Sequence, residues 1–212
     1  MNSLLHTTWR VIAVLAAAWG LTGCAPPPLF AEAPAAREGI ALPALAAGLW
    51  AKEGKDEGSR ARIVPTGRGT LRLEIFNTRP AEASEPPLPP LNGRTARFAG
   101  HDWLVLDVAA WDYGKSERGG MTGFLLLQYR FDNAARVCLQ VPTAAAFAAA
   151  VSAGELTGKL KPDRNFQAVL VTSPASQWVD WWNQHRDSVE FSQDSLCLRR
   201  LEQIPVAAET AN

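Results

Sequence analysis

The chain has 212 residues, 47% of them hydrophobic, and its 21 basic and 21 acidic side chains leave no formal net charge. That length and composition suit one core of moderate size. Neutrality, with no Lys/Arg cluster on any one segment, argues against a nucleic-acid binder, which needs a basic face to displace counterions. Beyond the N-terminal segment no apolar run approaches the roughly 20 residues of a membrane-spanning helix.

The first segment carries Arg10 and then the apolar run Val11-Ile12-Ala13-Val14-Leu15-Ala16-Ala17-Ala18-Trp19. This is the pattern of a secretory signal, too short for a stable transmembrane helix. It closes on Leu21-Thr22-Gly23-Cys24, which resembles the lipobox of bacterial lipoproteins. The resemblance implies cleavage before Cys24 and acylation of that residue, palmitate being among the expected groups. Each buried methylene contributes about 0.8 kcal/mol, so several acyl chains hold a protein at a membrane essentially permanently. An ordinary signal peptide with a chance Cys is the alternative. By the same resemblance, Ala25 in place of Asp points to the periplasmic face of the outer membrane, with the inner membrane as the other destination. The expected organisation is a signal peptide over 1–23, an Ala/Pro-rich tether over 24–47, one β-rich domain over 48–202 and a frayed tail over 203–212. A polyproline-like tether of about 20 residues would reach roughly 60 Å.

From Gly48 the character changes, and short apolar or alternating runs separated by turn residues give the signature of an antiparallel meander. Strands are expected at Leu49–Lys52, Arg60–Val64, Thr70–Phe76, Thr95–Phe98, Trp103–Val108, Gly123–Phe131 and Arg136–Val141. The third alternates cleanly, with Leu71, Leu73 and Ile75 inward and Arg72 and Glu74 outward. Trp103-Leu104-Val105-Leu106 and Phe124-Leu125-Leu126-Leu127 are continuously apolar, so they should be central strands covered on both faces. Asp132-Asn133 signals a hairpin, and the proline-rich stretch from Thr78 to Asn92 reads as an exposed loop. After Pro142, Thr143 can cap a helix running through Val151 to Gly154. A strand follows at Phe166–Val171. Ser173, with Pro174 at the first helical position, opens a second helix. Its Trp178, Trp181, Trp182 and His185 fall on one face, either packed on the sheet or exposed to a partner. A final strand, Ser195–Leu201, returns to the sheet.

Once Cys24 is acylated, Cys138 and Cys197 remain, and an oxidising compartment would let them pair. In Val137-Cys138-Leu139 and Leu196-Cys197-Leu198 the aliphatic neighbours alternate with the Cys, which places both thiols on the face opposite the core. Adjacent strands would bring their Cα atoms within the range of about 4.4 to 6.8 Å that a disulfide needs. Two unrelated thiols are the alternative. Two Cys without a nearby His cannot complete a zinc shell, so no metal site is expected.

The opening Gly-x-Trp, the strand with Ala96-Arg97-Phe98, the hairpin, the two helices and the closing Leu198-Arg199-Arg200-Leu201 resemble small uncharacterised bacterial lipoproteins with lipocalin-like or open-barrel bodies. The implied fold class is α+β: an antiparallel meander forming an open barrel or strongly curved sheet, with two C-terminal helices and a returning strand. No family function travels through these short motifs.

Catalytic residues do not stand out. His101-Asp102 sits in a turn before a strand, where a polar pair usually satisfies backbone groups, and His185 extends the tryptophan face. Gly114–Gly120 lacks the Gly-Lys-Ser/Thr ending of a phosphate loop, and no Gly-x-Ser-x-Gly elbow is present. Trp111 and Tyr113, in a loop between two central strands, and His185 are the candidate binding residues. No cofactor is expected. The leading reading is a lipid-anchored envelope protein with a binding or assembly domain facing the periplasm. A carrier of an apolar molecule inside the meander is second and an enzyme third. A side-chain-filled barrel favours the first, and an apolar cavity of at least about 300 Å³ the second.

Overall fold

A computed structural model describes residues 26–35, 47–53, 59–67, 69–77, 89–109, 121–163, 166–192 and 195–202. The elements are β1 (Leu29–Phe30), β2 (Gly48–Lys52), β3 (Ser59–Gly67), β4 (Thr70–Asn77), β5 (Leu91–Phe98), β6 (His101–Asp107), β7 (Phe124–Asn133) and β8 (Arg136–Gln140). Helix α1 (Ala145–Ala153), β9 (Gly158–Asp163), β10 (Phe166–Val171), helix α2 (Ala175–Gln184) and β11 (Leu196–Glu202) complete the chain. Trp111 and Tyr113 lie outside the described residues, as do 78–88 of the expected proline-rich loop. That loop ends earlier than its composition suggests, because Leu91 and Asn92 already pair with β4.

Strands β6, β5, β4, β3, β2, β11, β8 and β7 follow one another around a barrel, and the pairing of β6 with β7 closes it. The α+β class therefore holds, with an eight-stranded antiparallel barrel that is closed rather than open. The alternation in β4 sets the pattern: Leu71 and Leu73 join Trp50, Ile63, Leu91, Leu104, Leu106, Leu125, Leu127, Val137, Leu139 and Leu198 in one contiguous interior cluster. Gly93 faces inward on β5, where an added Cβ would come within 2.8 Å of Leu106 Cδ2 and 3.1 Å of Leu71 Cδ1, so its missing side chain makes room for the two leucines.

A second core lies outside the barrel. Trp103 and Val105 of β6 and Leu126 of β7 point outward and meet Phe147 of α1 and Trp178 and Trp182 of α2. Burial on both faces explains why those two strands read as unbroken apolar runs. The helix caps differ from expectation. The N-cap of α1 is Ala144, without a side-chain hydrogen bond, and the Thr143 hydroxyl is buried with no partner among the described residues. Ser173 does not cap α2 either. Its Oγ accepts the Thr157 backbone N–H at 2.8 Å, tying the exit of β10 to the entry of β9. At the end of α1, Gly154 takes the expected left-handed conformation, with φ of 77°.

The 24–47 tether is corrected in its first half. Leu29 and Phe30 form a strand that pairs antiparallel with Phe124 and Leu125 of β7 and parallel with β10. β8 pairs with β7 only from Gln128 onward, so β1 occupies the remaining length of that edge. Two features make the docking possible. Gly123 lets the backbone of β1 approach, since a Cβ there would lie 2.6 Å from the Phe30 carbonyl oxygen. Phe30 is 0% exposed and packs on Phe147 and Trp178, at centroid distances of 5.3 and 4.5 Å. Burial of such a ring contributes roughly 1.5–3 kcal/mol. The Ala31 N–H donates to the Val171 carbonyl, the Trp178 indole N–H to the Glu32 carbonyl and the Arg94 guanidinium to the Pro34 carbonyl.

Cys138 and Cys197 are directly opposite on β8 and β11 and form a disulfide, with Cα atoms 4.0 Å apart. The separation is slightly below the expected range, and the ladder explains it. The Cys197 carbonyl accepts the Glu53 N–H from β2's side, so the Cys pair occupies a non-hydrogen-bonded position facing β8, where antiparallel Cα atoms approach most closely. As anticipated, the side chains flanking each Cys point into the barrel.

Candidate binding surfaces

The strand alternation separates the two residues of His101-Asp102. Asp102 pairs with Arg97 at 2.9 Å, whereas His101 turns to the outer layer, near Trp103 and Phe191. The His101 Nδ1 lies 3.0 Å from the Gln128 side-chain nitrogen, an N–H donor, so Nδ1 is the acceptor and Nε2 carries the proton of the neutral ring. Among the described residues, neither His101 nor His185 has the carboxylate partner that acid–base work would use. Among the described residues no group of three His, Cys, Asp or Glu side chains converges on a common point.

The face Trp178, Trp181, Trp182 and His185 divides. Trp178 and Trp182 are buried in the outer core, which settles the packed-or-exposed alternative for them in favour of packing. Trp181 and His185 stay at its rim, stacked with centroids 4.7 Å apart and planes 18° from parallel. The His185 Nδ1 is 2.9 Å from the Trp181 carbonyl oxygen, which can only accept, so Nδ1 carries a proton. The Trp181 indole N–H donates to a Glu155 carboxylate oxygen at 2.7 Å. His185 is thus braced against the helix by two contacts to Trp181, and its Nε2 remains for an external donor when the ring is neutral.

One end of the barrel interior combines aromatic and charged groups that sequence reasoning did not single out. It lies where β5, β7 and β11 end and β2 and β6 begin. Leu196, Leu198 and Arg200 follow the inward alternation of β11. Arg200 is the cross-strand neighbour of Trp50 and lies over its ring, 4.7 Å from the centroid. Phe131 stands 6.3 Å from Trp50 and Tyr129 a further 5.9 Å on, both between centroids. Burial and the nearby Asp102 carboxylate push the Tyr129 phenol up to about 12, against a smaller opposing effect of Arg97. Burial also pulls the Arg200 guanidinium below its ordinary value. The signal for Arg200 was available: a charge at the i+2 position of an inward-facing apolar series.

The fold and these surfaces define a closed antiparallel barrel carrying a two-helix outer layer and an inserted N-terminal strand. Comparisons with protein families, with curated proteins and with solved structures give no match to this chain.

Proposed function

We propose that the chain is a lipid-anchored bacterial envelope protein whose body is held close to the membrane and serves to bind or assemble a partner there. The lipobox-like Leu21-Thr22-Gly23-Cys24 and the Ala25 that follows carry the anchoring and the outer-membrane destination. The observation that gives the reading its physical form is β1, which begins at Leu29, five residues after Cys24. Five extended residues span at most about 18 Å. An acyl group on Cys24 would therefore hold the body at the headgroups rather than let it swing on a reach of roughly 60 Å. The packed interior cluster favours binding on an outer face or at a barrel end over carriage of an apolar molecule through the centre.

Fractionation of cells expressing Cys24→Ala tests the anchor. The variant should be unprocessed or mislocalised, because no other residue can take the lipid. A variant cleaved normally and retained with the membranes would show that the lipobox reading is wrong.

A further inference from the structure

We propose that residues 29–34 form a detachable strap, and that the slot they fill between β7 and β10 is a receptor for an extended peptide carrying an aliphatic–aromatic pair. The barrel is complete without the strap. Pairing of β6 with β7 closes the eight strands, and the Cys138–Cys197 bridge fastens β8 to β11. Among the described residues, β1 is the only strand that connects the β9–β10 hairpin to the barrel sheet. Its departure therefore leaves the barrel closed and opens a slot between Phe124–Leu125 of β7 and Leu170–Val171 of β10.

The strap is held as a bound peptide is held. Main-chain pairing gives an added strand its grip, and pockets for alternate side chains give it selectivity. Leu29 turns into the interior cluster and Phe30 into the outer core. The Phe30 ring sits among Phe147, Trp178 and Trp182, with centroids 5.3, 4.5 and 6.3 Å away. Gly123 clears the backbone path, since a Cβ there would lie 2.6 Å from the Phe30 carbonyl oxygen. Glu32 and Pro34 contribute carbonyl oxygens, to the Trp178 indole and the Arg94 guanidinium. The slot thus reads two side chains and a stretch of main chain, so other sequences with such a pair can fill it.

A two-residue strand seated by one large ring lies at the low end of local stability, because few contacts have to break together. Its release has a consequence that rests on the lipid-anchor reading proposed above. The first body element after Cys24 is then β2, which starts at Gly48, 24 residues on, instead of β1, which starts five residues on. The maximum reach grows from about 18 Å to about 86 Å. A partner peptide that takes the slot would let the body leave the headgroups.

The test uses the full chain purified in detergent. In hydrogen exchange the Ala31 amide, which donates to the Val171 carbonyl, should exchange at least a hundredfold faster than the paired amides of β7 and β8. The probe is a synthetic peptide of residues 26–35, with its Phe30→Ala version as control. A slot that is mostly filled weakens binding by the fraction that is open. The peptide should therefore bind the Phe30→Ala protein at least tenfold more tightly than the parent, and the control peptide should bind neither. Gly123→Ala protein should free the strap yet reject the peptide, because the added Cβ obstructs both. Protection of β7 and β8 equal to the parent's establishes that each variant is folded. An Ala31 amide of the parent as protected as those of β7, or no binding of the peptide to folded Phe30→Ala protein, overturns the proposal. With acylated protein on a supported bilayer, neutron reflectometry should show the body moving away as the peptide binds. Binding without movement leaves the strap standing and counts against the lipid anchor.

Discussion

Reducing the Cys138–Cys197 bridge perturbs one covalent contact whose contribution the topology allows to be worked out. The two residues are 59 positions apart, and the chain between them includes both helices, β9 and β10. Closing a loop of about 60 residues removes enough unfolded-state entropy to stabilise the fold by roughly 4 kcal/mol. Strained bridges fall short of such figures. Here the two strands already pair at that register, with Leu196 opposite Leu139 and Leu198 opposite Val137, so the barrel need not distort to accommodate the sulfurs. A change of 1 kcal/mol moves the melting temperature of a 150–250-residue protein by about 2–4 °C, so the oxidised form should melt about 8–16 °C above the reduced one. Cys138→Ser and Cys197→Ser should each reproduce the reduced value. The double variant should be no worse than either single, since each removes the same cross-link. Thermal melts with and without reductant measure the shift, and mass spectrometry of protein purified without reductant counts free thiols. Two free thiols, or a shift under about 2 °C, would refute the reasoning. The second outcome would mean that the reduced, unfolded chain already keeps these strands together.

Phe30→Ala should cost about 3–5 kcal/mol, as for other fully buried aromatic truncations, and should free residues 31–35 for proteolysis while the barrel disulfide remains intact. Protection of that segment equal to the parent's would show that Phe30 does not hold it. Tyr129 gives a pH signature. With its phenol pushed up to about 12 in the folded protein and near 10 when unfolded, the unfolded chain loses its proton first. The stability held below pH 10 should therefore fall as the pH rises towards 12. In Tyr129→Phe that loss should diminish, and ring-carbon NMR placing the Tyr129 titration near 10 would contradict the burial argument.

How much was readable in advance depended on whether a residue's role is set by its own strand or by a distant one. The inward leucines of β4, the two-sided burial of β6 and β7 and the pairing of Cys138 with Cys197 all follow from i, i+2 alternation and apolar continuity, which are local properties. β9 escaped because Gly158-Lys159-Leu160-Lys161-Pro162-Asp163 has one large apolar residue and a proline. It is an edge strand with β10 as its single neighbour, where a missing N–H on the open side costs little. β1 escaped for a different reason. Two residues carry no period at all, and their place depends on the short reach of β8, the open backbone at Gly123 and the rings of Phe147 and Trp178, which arrive from more than 90 residues away. Thr143 and Ser173 had the right side chains for caps, yet Ser173 is taken by the Thr157 N–H. Local capping lost there to a contact between strands.

The same distinction governs the candidate sites. His185 continues the tryptophan face as its helical spacing predicts, stacked on Trp181, since spacing alone determines which face a helical residue shares. The separation of His101 from Asp102 also follows from neighbouring residues on a strand pointing to opposite faces. Arg200 could be assigned to the inward face of β11 by counting from Leu196 and Leu198. What no count could show is that Nε and Nη2 of the guanidinium would be buried without an acceptor among the described residues. That depends on barrel closure bringing Trp50 over the guanidinium. A chain with equal numbers of acidic and basic residues gives no hint of an uncompensated charge. Neutrality is a property of the whole chain, whereas the partner each charge meets is set by the fold, and in this barrel Arg97 meets the Asp102 carboxylate while Arg200 meets the face of Trp50.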